Sequence, residues 1–383
     1  MWLDKEEIVK KGYYIFPCGY ESATRGYSGV LKKIDMQCKE FAKCFDIECI
    51  TLQEKDVAGI AQKIVRRMPW SSADRDYAGA LSRFDHPQFI YIRKTRADKS
   101  FLCFLRDIKS KFPECKIIIE LYTYPYEKDE YHRWIDKLNM IKDRYYRNQL
   151  KQYVDRLITY SNHMEIWGIK TIVLMNGIDV HSISRVHSRI TDFKTYNLIF
   201  VGYMQRQHGL ERAITGLKEF YSGKEREEKV ILHIVGDGPE LSYYQRLVID
   251  NELSDSVLFY GNKYGVELDE IYDKCDIGIS ALGMYKNKLD WSSALKSREY
   301  IAKGIPVING NPTDVFVRHK CDFHLDFSND ATSIDIKRIV EWYDGLLEKY
   351  SDRDGLADVI RQYAFKYVDN SVTLKPVIEY IGI

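Results

Sequence analysis

Short apolar runs alternate with stretches of helical spacing along almost the whole chain. The runs that predict strands in the first half are Tyr13–Phe16, Ile47–Leu52, Phe89–Ile92, Lys116–Leu121, Leu157–Tyr160 and Thr171–Leu174. Those in the second half are Asn197–Val201, Val230–Val235, Val257–Tyr260, Ile277–Ser280 and Ile305–Ile308. Helical spacing covers residues 30–43, 211–221, 356–367 and 374–381. Buried strands that alternate with helices predict an α/β fold with parallel sheets.

The length of the chain indicates two such domains, because 383 residues exceed the usual size of one. The tetrapeptide Asn176-Gly177-Ile178-Asp179 is a turn signal after the last predicted strand of the first half. We therefore place the domain boundary there, with a first domain over residues 1–178 and a second over residues 179–362.

Composition and charge narrow the classes of function. The formal net charge is +1, so no overall charge favours nucleic acid as a partner. The eight cysteines form no Cys-x-x-Cys pair and no His cluster has zinc spacing, so we predict reduced thiols and no metal site. There is no apolar run of about 18 residues, and the N-terminus lacks the pattern of a signal peptide. These features predict a cytoplasmic protein.

The segment Asp290–Ile308 contains the most specific pattern in the chain. It predicts a loop, a helix, a glycine stop at Gly304 and a buried strand. Its candidate ligand-binding residues are Ser292, Ser293, Leu295, Lys296, Arg298 and Glu299. The two serines are predicted N-caps of a helix, where backbone N–H groups and the helix dipole favour a diphosphate. Two cations beside one carboxylate can hold a phosphate and a pair of sugar hydroxyls together.

This segment resembles the donor-binding signature of GT-B glycosyltransferases, in the large retaining family numbered four. In that family a Glu near the middle of the helix binds the ribose hydroxyls, and Glu299 matches it in a Leu-Lys-Ser-Arg-Glu-Tyr run that starts at Leu295. The family's second Glu, eight positions earlier, grips the donor sugar. Here that position is Trp291, and the neighbouring Asp290 is a candidate replacement. The alternative is a capped surface helix with ordinary charges.

A second segment of the same half extends the resemblance. Residues Gly202–Gly209 resemble the family's second diphosphate-binding segment, in which an Arg and a Lys usually stand where this chain has Tyr203 and His208. Arg206 is then the candidate phosphate cation, and His208 assists if it is protonated. The alternative is a strand-to-helix turn whose charges are incidental.

Smaller glycine-containing matches complete the predicted donor site. The matching residues are Ser28, Gly29, Gly236, Gly238, Gly261 and Asn262. The first two belong to a glycine loop before the first helix, for which a generic turn is the alternative. The next two form a strand-to-helix turn whose glycines permit close approach of a ligand. The last two correspond to the loop beside the nucleotide base.

Glu120 ends a predicted strand and begins the segment Glu120–Tyr126. This segment resembles a Glu-Ile-Pro-Thr-Tyr-Pro-Tyr stretch in a bacterial branch that makes surface polysaccharides. The resemblance leads us to expect that Glu120 orients a hydroxyl of the acceptor. The alternative is a carboxylate that is paired with a nearby Arg.

Two stretches mix basic and aromatic residues, namely residues 63–70 and 137–156. They are candidates for peripheral contact with the anionic inner leaflet of the plasma membrane, where a lipid-linked acceptor would lie. The alternative is a pair of solvated helix faces.

The resemblance implies two Rossmann-like domains that face a central cleft, with the acceptor on the first domain and the donor on the second. A C-terminal helix over about residues 363–383 is expected to cross back onto the first domain. The implied reaction moves a sugar from a UDP- or GDP-sugar to a glycan or lipid-linked saccharide with retention, in the synthesis of capsule, exopolysaccharide or another surface polysaccharide. We assign catalysis to Arg206, Lys296 and Glu120, and we expect neither a metal nor a cofactor.

Three other functions stay open. A glycogen-phosphorylase-like enzyme would need a pyridoxal lysine, and the size of such enzymes argues against it. A sugar-nucleotide 2-epimerase shares the GT-B fold, although the acidic and His residues on which such enzymes rely cannot be placed in this sequence. A non-catalytic binder of nucleotide sugars is the other alternative, and Trp291 at the place of the family's first Glu is the best argument for it.

Overall fold

The computed structural model describes residues 9–17, 29–53, 65, 68, 75–94, 96–126, 136–187, 194–222 and 227–382. The chain divides into two compact units, the first formed by Met1–Leu174 with Thr373–Ile383 and the second by Met175–Val372. The predicted boundary after residue 178 lies just inside the second unit. Each unit is built around one sheet.

The first unit contains a seven-stranded sheet in the order β2-β1-β3-β4-β5-β7-β6. Its strands are β1 (Lys11–Pro17), β2 (Asp46–Leu52), β3 (Phe89–Arg93), β4 (Lys116–Leu121), β5 (Arg156–Thr159), β6 (Glu165–Ile166) and β7 (Ile169–Val173). The described pairs are parallel, except that β6 and β7 are antiparallel. Its helices are Gly29–Ala42, Tyr77–Ser82, Lys99–Lys111, Asp136–Arg147 and Lys375–Gly382.

Alternate residues of the central strands build cores on both faces of this sheet. Tyr13 lies in one hydrophobic cluster, and its neighbour Tyr14 lies in the other. Val377 and Ile381 of the C-terminal helix Lys375–Gly382 are buried in the second cluster. A parallel strand that is covered on both faces reads as a continuous apolar run, which is why the sequence pattern located these strands.

The second unit contains a six-stranded sheet in the order β10-β9-β8-β11-β12-β13. Its strands are β8 (Thr195–Val201), β9 (Lys229–Val235), β10 (Val257–Phe259), β11 (Ile277–Ile279), β12 (Val307–Asn309) and β13 (His324–Asp326), and the described pairs are parallel. Its helices are Glu211–Tyr221, Leu241–Asp250, Gly265–Asp273, Leu295–Lys303, Asp314–Arg318, Ile336–Tyr350 and Arg353–Tyr367. Parallel strands joined by helices align their carboxyl ends along one edge, where ligands of such sheets bind.

The predicted α/β fold of two parallel-sheet domains is confirmed, and every predicted strand overlaps an observed one. The two strands that the sequence did not indicate, β6 and β13, are short edge strands of two and three residues. Such short runs carry too few alternating positions to stand out in a sequence. Across the residues that the structure describes, no helix has the length and apolar character needed to cross a bilayer.

The end of the chain forms separate helices, as the helical spacing over residues 356–367 and 374–381 predicts, and not one helix over about residues 363–383. The helix Arg353–Tyr367 ends within the second unit, and the chain then enters the short helix Asn370–Thr373 before Lys375–Gly382. Asp369 explains the interruption, because its side chain accepts hydrogen bonds from the backbone N–H of Ser371 at 3.0 Å and of Val180 at 3.1 Å. A side chain that bonds local backbone in this way competes with helical hydrogen bonding.

Candidate functional site

The carboxyl ends of β8, β9 and β10 bring three predicted glycine turns together. The Gly202 N–H donates to the Val235 carbonyl at 3.0 Å, and the Gly236 N–H donates to the Gly261 carbonyl at 2.7 Å. A Cβ atom on Gly236 would lie only 2.2 Å from the Gly202 carbonyl oxygen, and its φ is +127°. Glycine is therefore required at position 236, because the two loops approach at backbone contact distance.

The remaining glycines of this edge differ in their surroundings. A Cβ atom on Gly238 would lie 2.3 Å from the Met204 carbonyl oxygen, so this glycine also serves the packing of one loop on the next. A Cβ atom on Gly261 would meet no described atom within 4 Å, and Asn262 beside it is exposed. The loop after β10 therefore leaves open space next to its backbone, which is room that a ligand can use.

Lys296 brings a buried cation to the same edge. Its Nζ lies 3.3 Å from the position that a Cβ on Gly202 would take, and 3.8 Å from the centroid of the Phe200 ring. The side-chain stem is half-buried, whereas Nζ is shielded from solvent and forms no hydrogen bond within the described part of the chain. Burial lowers the pKa of Lys296 to about 7, although the Glu299 carboxylate acts in the opposite direction. Among the described residues, no carboxylate forms a hydrogen bond or an ion pair with this buried ammonium.

His208 does not fulfil the expectation of a protonated phosphate ligand. Its Nδ1 accepts a hydrogen bond from the Gln205 backbone N–H at 3.1 Å, and its ring lies 5.1 Å from the ring of Phe200. Burial, and then the Lys296 charge, lower the pKa of His208 to about 2. The imidazole is therefore neutral and serves the turn itself. Arg206, in the same turn, is exposed and accessible to a ligand.

The two predicted N-cap serines do not cap the helix Leu295–Lys303, which we call the donor helix. Its N-cap residue is Ala294, and that cap has no side-chain hydrogen bond. Ser292 Oγ instead lies 3.0 Å from Thr313 Oγ1, and Ser293 Oγ donates to Asp314 Oδ2 at 2.6 Å. The reason is that residue 292 pairs with residue 313 in a parallel bridge, which turns both hydroxyls toward that segment. The backbone N–H groups of the first turn of the donor helix are left without a side-chain cap.

Arg298 also departs from the expectation that it faces the ligand. The side chain is fully buried and forms an ion pair with the buried Asp314. Its Nε donates to the Asn176 carbonyl at 3.1 Å, and its Nη1 donates to the Ala294 carbonyl at 3.3 Å. A guanidinium with these partners holds the donor helix to the rest of the unit, as the ion pair of Lys303 with Asp269 also does, and Lys296 is the cation of this helix that forms no hydrogen bond within the described residues.

Glu299 and Asp290 are the predicted contacts to the two sugars of the donor. Glu299 is half-buried on the donor helix near Tyr272, whose pKa is raised by burial first and then by the Glu299 charge. Asp290 is exposed, and its Oδ1 accepts a hydrogen bond from Asn329 Nδ2 at 3.3 Å. Trp291 is half-buried beside it. A carboxylate is thus available next to the position at which the motif lacks its first Glu.

Glu120 of the first unit is not available to an acceptor. The carboxyl group is fully buried, and its Oε1 accepts hydrogen bonds from Lys33 Nζ at 3.1 Å, Arg93 Nη1 at 3.1 Å and Tyr160 Oη at 2.9 Å. Its Oε2 accepts one from Tyr91 Oη at 3.0 Å. Burial alone would raise the pKa of Glu120, but the two cations and these donors outweigh it and hold the pKa at about 2. The paired carboxylate, which was the alternative interpretation, describes this residue.

Only the last residue of the glycine loop before the first helix lies within the described residues. Gly29 is the first residue of the helix Gly29–Ala42, and Ser28 lies outside the described residues. The predicted approach of this loop to a diphosphate therefore stays a prediction.

Three residues of the second unit were not singled out from the sequence. Phe200 lies under the Lys296 ammonium, and Asp314 neutralises Arg298. His233 is a buried polar residue within the apolar run Val230–Val235 of β9, and that interruption was a readable signal. Among the residues described, no group of three or more His, Cys, Asp or Glu side chains is arranged to hold a metal ion.

Comparisons with known proteins identify a similar family and similar structures. Residues 187–363, most of the second unit, match the family model described as glycosyl transferases group 1. No curated protein matches the chain.

Solved structures extend the similarity to the whole chain. It resembles a glycosyltransferase from Rickettsia africae ESF-5 with 10% identity, a TM-score of 0.63 and coverage of 98% of both chains. It resembles HepE of Anabaena in complex with UDP with 10% identity, a TM-score of 0.61 and coverage of 97% of this chain and 99% of HepE. The apo form of the lipopolysaccharide outer core galactosyltransferase WaaB gives 14% identity, a TM-score of 0.59 and coverage of 97% and 100%. The chain thus has the GT-B fold, and its residues 187–363 match the model of the group 1 glycosyltransferases.

Proposed function

We propose that the protein transfers a sugar from a nucleotide diphosphate sugar to a glycan or lipid-linked saccharide, with retention and without a metal. The observation that carries the proposal is the buried Lys296 ammonium beside Gly202, which has no hydrogen-bond partner among the described residues. A buried cation is costly unless an anion accompanies it. A diphosphate at the carboxyl ends of β8 and β9 supplies that anion.

The chemistry requires the protein to stabilise charge on the leaving diphosphate. The bond from the anomeric carbon to the diphosphate oxygen breaks, a bond from that carbon to the acceptor oxygen forms, and the acceptor proton passes to a phosphate oxygen. We assign charge stabilisation to Lys296, to the exposed Arg206 and to the first-turn N–H groups of the donor helix. Removal of one such group typically lowers kcat by about two to three orders of magnitude.

Recognition of the donor is divided among three further groups. We assign the ribose hydroxyls to Glu299, the transferred sugar to Asp290, and the base to the open loop at Gly261 and Asn262. HepE has been solved with UDP and with UDP-glucose, which makes UDP the first nucleotide to test. WaaB is described as a galactosyltransferase of lipopolysaccharide, and this supports a surface polysaccharide as the product.

A thermal-shift series with UDP, GDP, ADP, CMP and TDP in EDTA tests the donor site. A ligand at 100 times its Kd stabilises the native state by about 2.7 kcal/mol, so one of these nucleotides should raise Tm. Lys296→Ala should abolish the rise. Lys337→Ala, which removes an ammonium from a side chain that is 64% exposed, should preserve it. A wild-type protein that responds to none of them would refute metal-free binding of the donor.

A non-catalytic binder of nucleotide sugars is the second candidate function, and Trp291 at the position of the sugar-binding Glu favours it. This alternative predicts the same rise in Tm but no release of nucleoside diphosphate from the sugar nucleotide. Turnover can be measured with glycan and lipid-linked saccharide acceptors. If the enzyme reading is right, Asp290→Asn should lower kcat/KM while the affinity for the nucleoside diphosphate stays unchanged.

We also propose that the helix Asp136–Arg147 contacts an anionic membrane surface. Its buried face is polar and includes the fully buried Asp143, whereas Ile141 is 53% and Tyr145 is 65% exposed. Lys137, Ile141 and Tyr145 recur every four residues and share that exposed face. Apolar side chains beside a cation match the interface of an anionic leaflet. The other candidate stretch, residues 63–70, lies outside the described residues except at positions 65 and 68.

Sedimentation with phosphatidylcholine vesicles, with and without phosphatidylglycerol, tests this contact at low salt. The wild-type protein should sediment only with the anionic vesicles. The double variant Ile141→Ser, Tyr145→Ser should lose binding, whereas Val317→Ser, which changes a side chain of the second unit that is 47% exposed, should retain it. Equal sedimentation of both variants would exclude this helix as the contact.

A further inference from the structure

A chain of polar side chains runs through the interior of the second unit to the loop after β10. His233 is 4% exposed and lies within the apolar run Val230–Val235 of β9. Its Nδ1 lies 2.8 Å from Tyr260 Oη, and its Nε2 lies 3.0 Å from Asn197 Oδ1. Asn197 Nδ2 in turn donates to Asp276 Oδ2 at 3.2 Å. Four side chains thus link the interior of the sheet to one surface loop.

The direction of these hydrogen bonds follows from the acceptor at the far end. Because Asn197 Nδ2 donates to the Asp276 carboxylate, Asn197 Oδ1 is an acceptor and His233 Nε2 carries the proton. His233 Nδ1 therefore accepts from the Tyr260 hydroxyl. The Tyr260 and His233 rings are also stacked, with centroids 5.7 Å apart and an interplanar angle of 14°. Both the position and the rotation of Tyr260 are thereby fixed.

Asp276, at the far end of this hydrogen-bonded series of side chains, is itself held in place. Asp276 Oδ2 also accepts a hydrogen bond from the Asn197 backbone N–H at 2.8 Å. Its Oδ1 lies 3.6 Å from Arg353 Nε, in an ion pair whose two side chains are almost fully buried. An anchored network of this kind transmits little motion, so the Tyr260 hydroxyl has a rigid acceptor.

Tyr260 immediately precedes the open backbone of Gly261. The Gly261 carbonyl accepts a hydrogen bond from Gly236, and Gly236 packs on Gly202, which lies beside the Lys296 ammonium. The loop after β10 is therefore the third in a row of adjacent loops that begins at Gly202 and Lys296, the proposed phosphate-binding residue. It also leads into the helix Gly265–Asp273, which carries the Tyr272 neighbour of Glu299. A nucleoside that extends from Lys296 along this row reaches the loop.

We propose that His233 is a positioning residue for recognition of the nucleotide base. Acting through Tyr260, it fixes the backbone edge at Gly261 and Asn262 that reads the base. The inference rests on the proposed function, since it assumes that the row of loops holds a nucleotide. It adds the element that the donor site requires for selectivity among bases, because a base can be read only by an edge of fixed position.

Isothermal titration of the full chain with nucleoside diphosphates and with inorganic pyrophosphate tests the proposal. Tyr260→Phe removes only the hydroxyl that bonds His233, and it should raise the Kd of the preferred nucleoside diphosphate about fivefold. The Kd of pyrophosphate should not change, and the preference among bases should narrow. Tyr221→Phe is the matched control, since the Tyr221 hydroxyl bonds the backbone of Val230 at the other end of β9, at 2.8 and 3.0 Å.

The results distinguish failure of the proposed function from failure of the positioning role alone. If the wild-type protein binds no nucleoside diphosphate, the proposed function fails and this inference fails with it. If the wild type binds but Tyr260→Phe keeps the wild-type ratio of nucleotide to pyrophosphate affinity, or Tyr221→Phe changes that ratio equally, only the positioning role is overturned.

Substitutions of His233 itself give a second test. An Asn side chain places its oxygen near the site of Nδ1, whereas a Gln side chain places its amide near the site of Nε2. His233→Asn should therefore keep the hydrogen bond to Tyr260. It should retain more nucleotide affinity than His233→Gln when the two variants have the same Tm. The reverse order would show that Tyr260 is not the route by which His233 acts.

Discussion

Binding of a nucleoside diphosphate should depend on pH through Lys296. In the ligand-free protein burial lowers the pKa of this ammonium to about 7, with Glu299 opposing the shift. A phosphate anion beside Nζ favours the charged form and raises the pKa again. Above pH 7 the free protein holds a neutral amine and must take up a proton when the ligand binds. Affinity should therefore fall as the pH rises.

The size of the effect follows from linkage. One proton taken up per ligand raises Kd about tenfold per pH unit, or about 1.4 kcal/mol, until the pH reaches the pKa of the complex. The last proton of a phosphate monoester is lost near pH 6, so the ligand contributes little slope above pH 7.5. Between pH 7.5 and 9 we expect a loss of about 30-fold in affinity.

The assay is isothermal titration in EDTA with the nucleotide that gives the largest thermal shift, at four pH values from about 7.5 to 9 and in two buffers of different ionisation enthalpy. The buffer difference counts the protons taken up. Lys296→Met should bind weakly at every pH without a slope, and Lys296→Arg should bind without a slope because a guanidinium stays charged. A wild-type Kd that is constant across this range, or a slope that survives in Lys296→Met, would refute the assignment of the cation.

Lys296 should also make the stability of the ligand-free protein depend on pH, in the direction opposite to that of nucleotide affinity. Its folded pKa of about 7 lies below the unfolded value of 10.5, so the unfolded chain binds more protons between these two values. Stability of the folded state should rise with pH across that window, and the cost of burying the charge is fully present below pH 7. Lys296→Met should thus raise Tm of the free protein near pH 6.5 while it removes the stabilisation by nucleotide.

Three further predictions concern groups whose roles the structure reassigns. Arg298→Met should lower the free energy of unfolding by about 3–5 kcal/mol in denaturant titration, because it leaves the buried Asp314 carboxylate unpaired, and replacing both residues by apolar ones should cost less. Gly236→Ala should destabilise strongly, since its Cβ would lie 2.2 Å from a backbone oxygen, whereas Gly261→Ala should cost only about 1 kcal/mol for its positive φ; equal Tm values for the two would contradict the geometry. Glu120→Gln should remove stability that the wild type has above pH 4.5 and loses as the pH falls toward 2, so acid unfolding curves of the two proteins should converge at low pH.

Much of the architecture was readable in the sequence, because strands buried on both faces leave continuous apolar runs. The run Val230–Val235 is an example, and it lies within β9. Helix ends were also readable where one residue decides them, as Gly304 does with its φ of +84°. The break between the helical stretches 356–367 and 374–381 was readable too, but its cause was not, because Asp369 accepts a hydrogen bond from Val180, which is distant in sequence.

The candidate site was predicted less completely, because the sequence of a motif does not show which of its residues contact a ligand and which contact other residues of the protein. Ser293 and Glu120 both match family patterns, yet both side chains are engaged by partners within their own unit. These partners, Asp314 and Lys33, come from other elements of the fold, so they become visible only when the chain is folded. Burial of Glu120 against two cations illustrates how a strand-end carboxylate becomes structural.

In the donor helix, the spacing of residues does indicate which side chains share a face and which point elsewhere. Residues one or two apart on a helix do not face each other, whereas residues three apart share one face. Lys296 and Glu299 are therefore neighbours, and Arg298 must point away from both. The structure follows this rule, with Arg298 buried against Asp314 and Lys296 turned to Gly202. Two of the three cations of this helix, Arg298 and Lys303, form ion pairs with carboxylates of the same unit, and Lys296 is the cation that we propose binds the ligand. Because burial lowers the pKa of Lys296 to about 7, we expect the charge of the ligand to decide whether this amine is protonated above that pH.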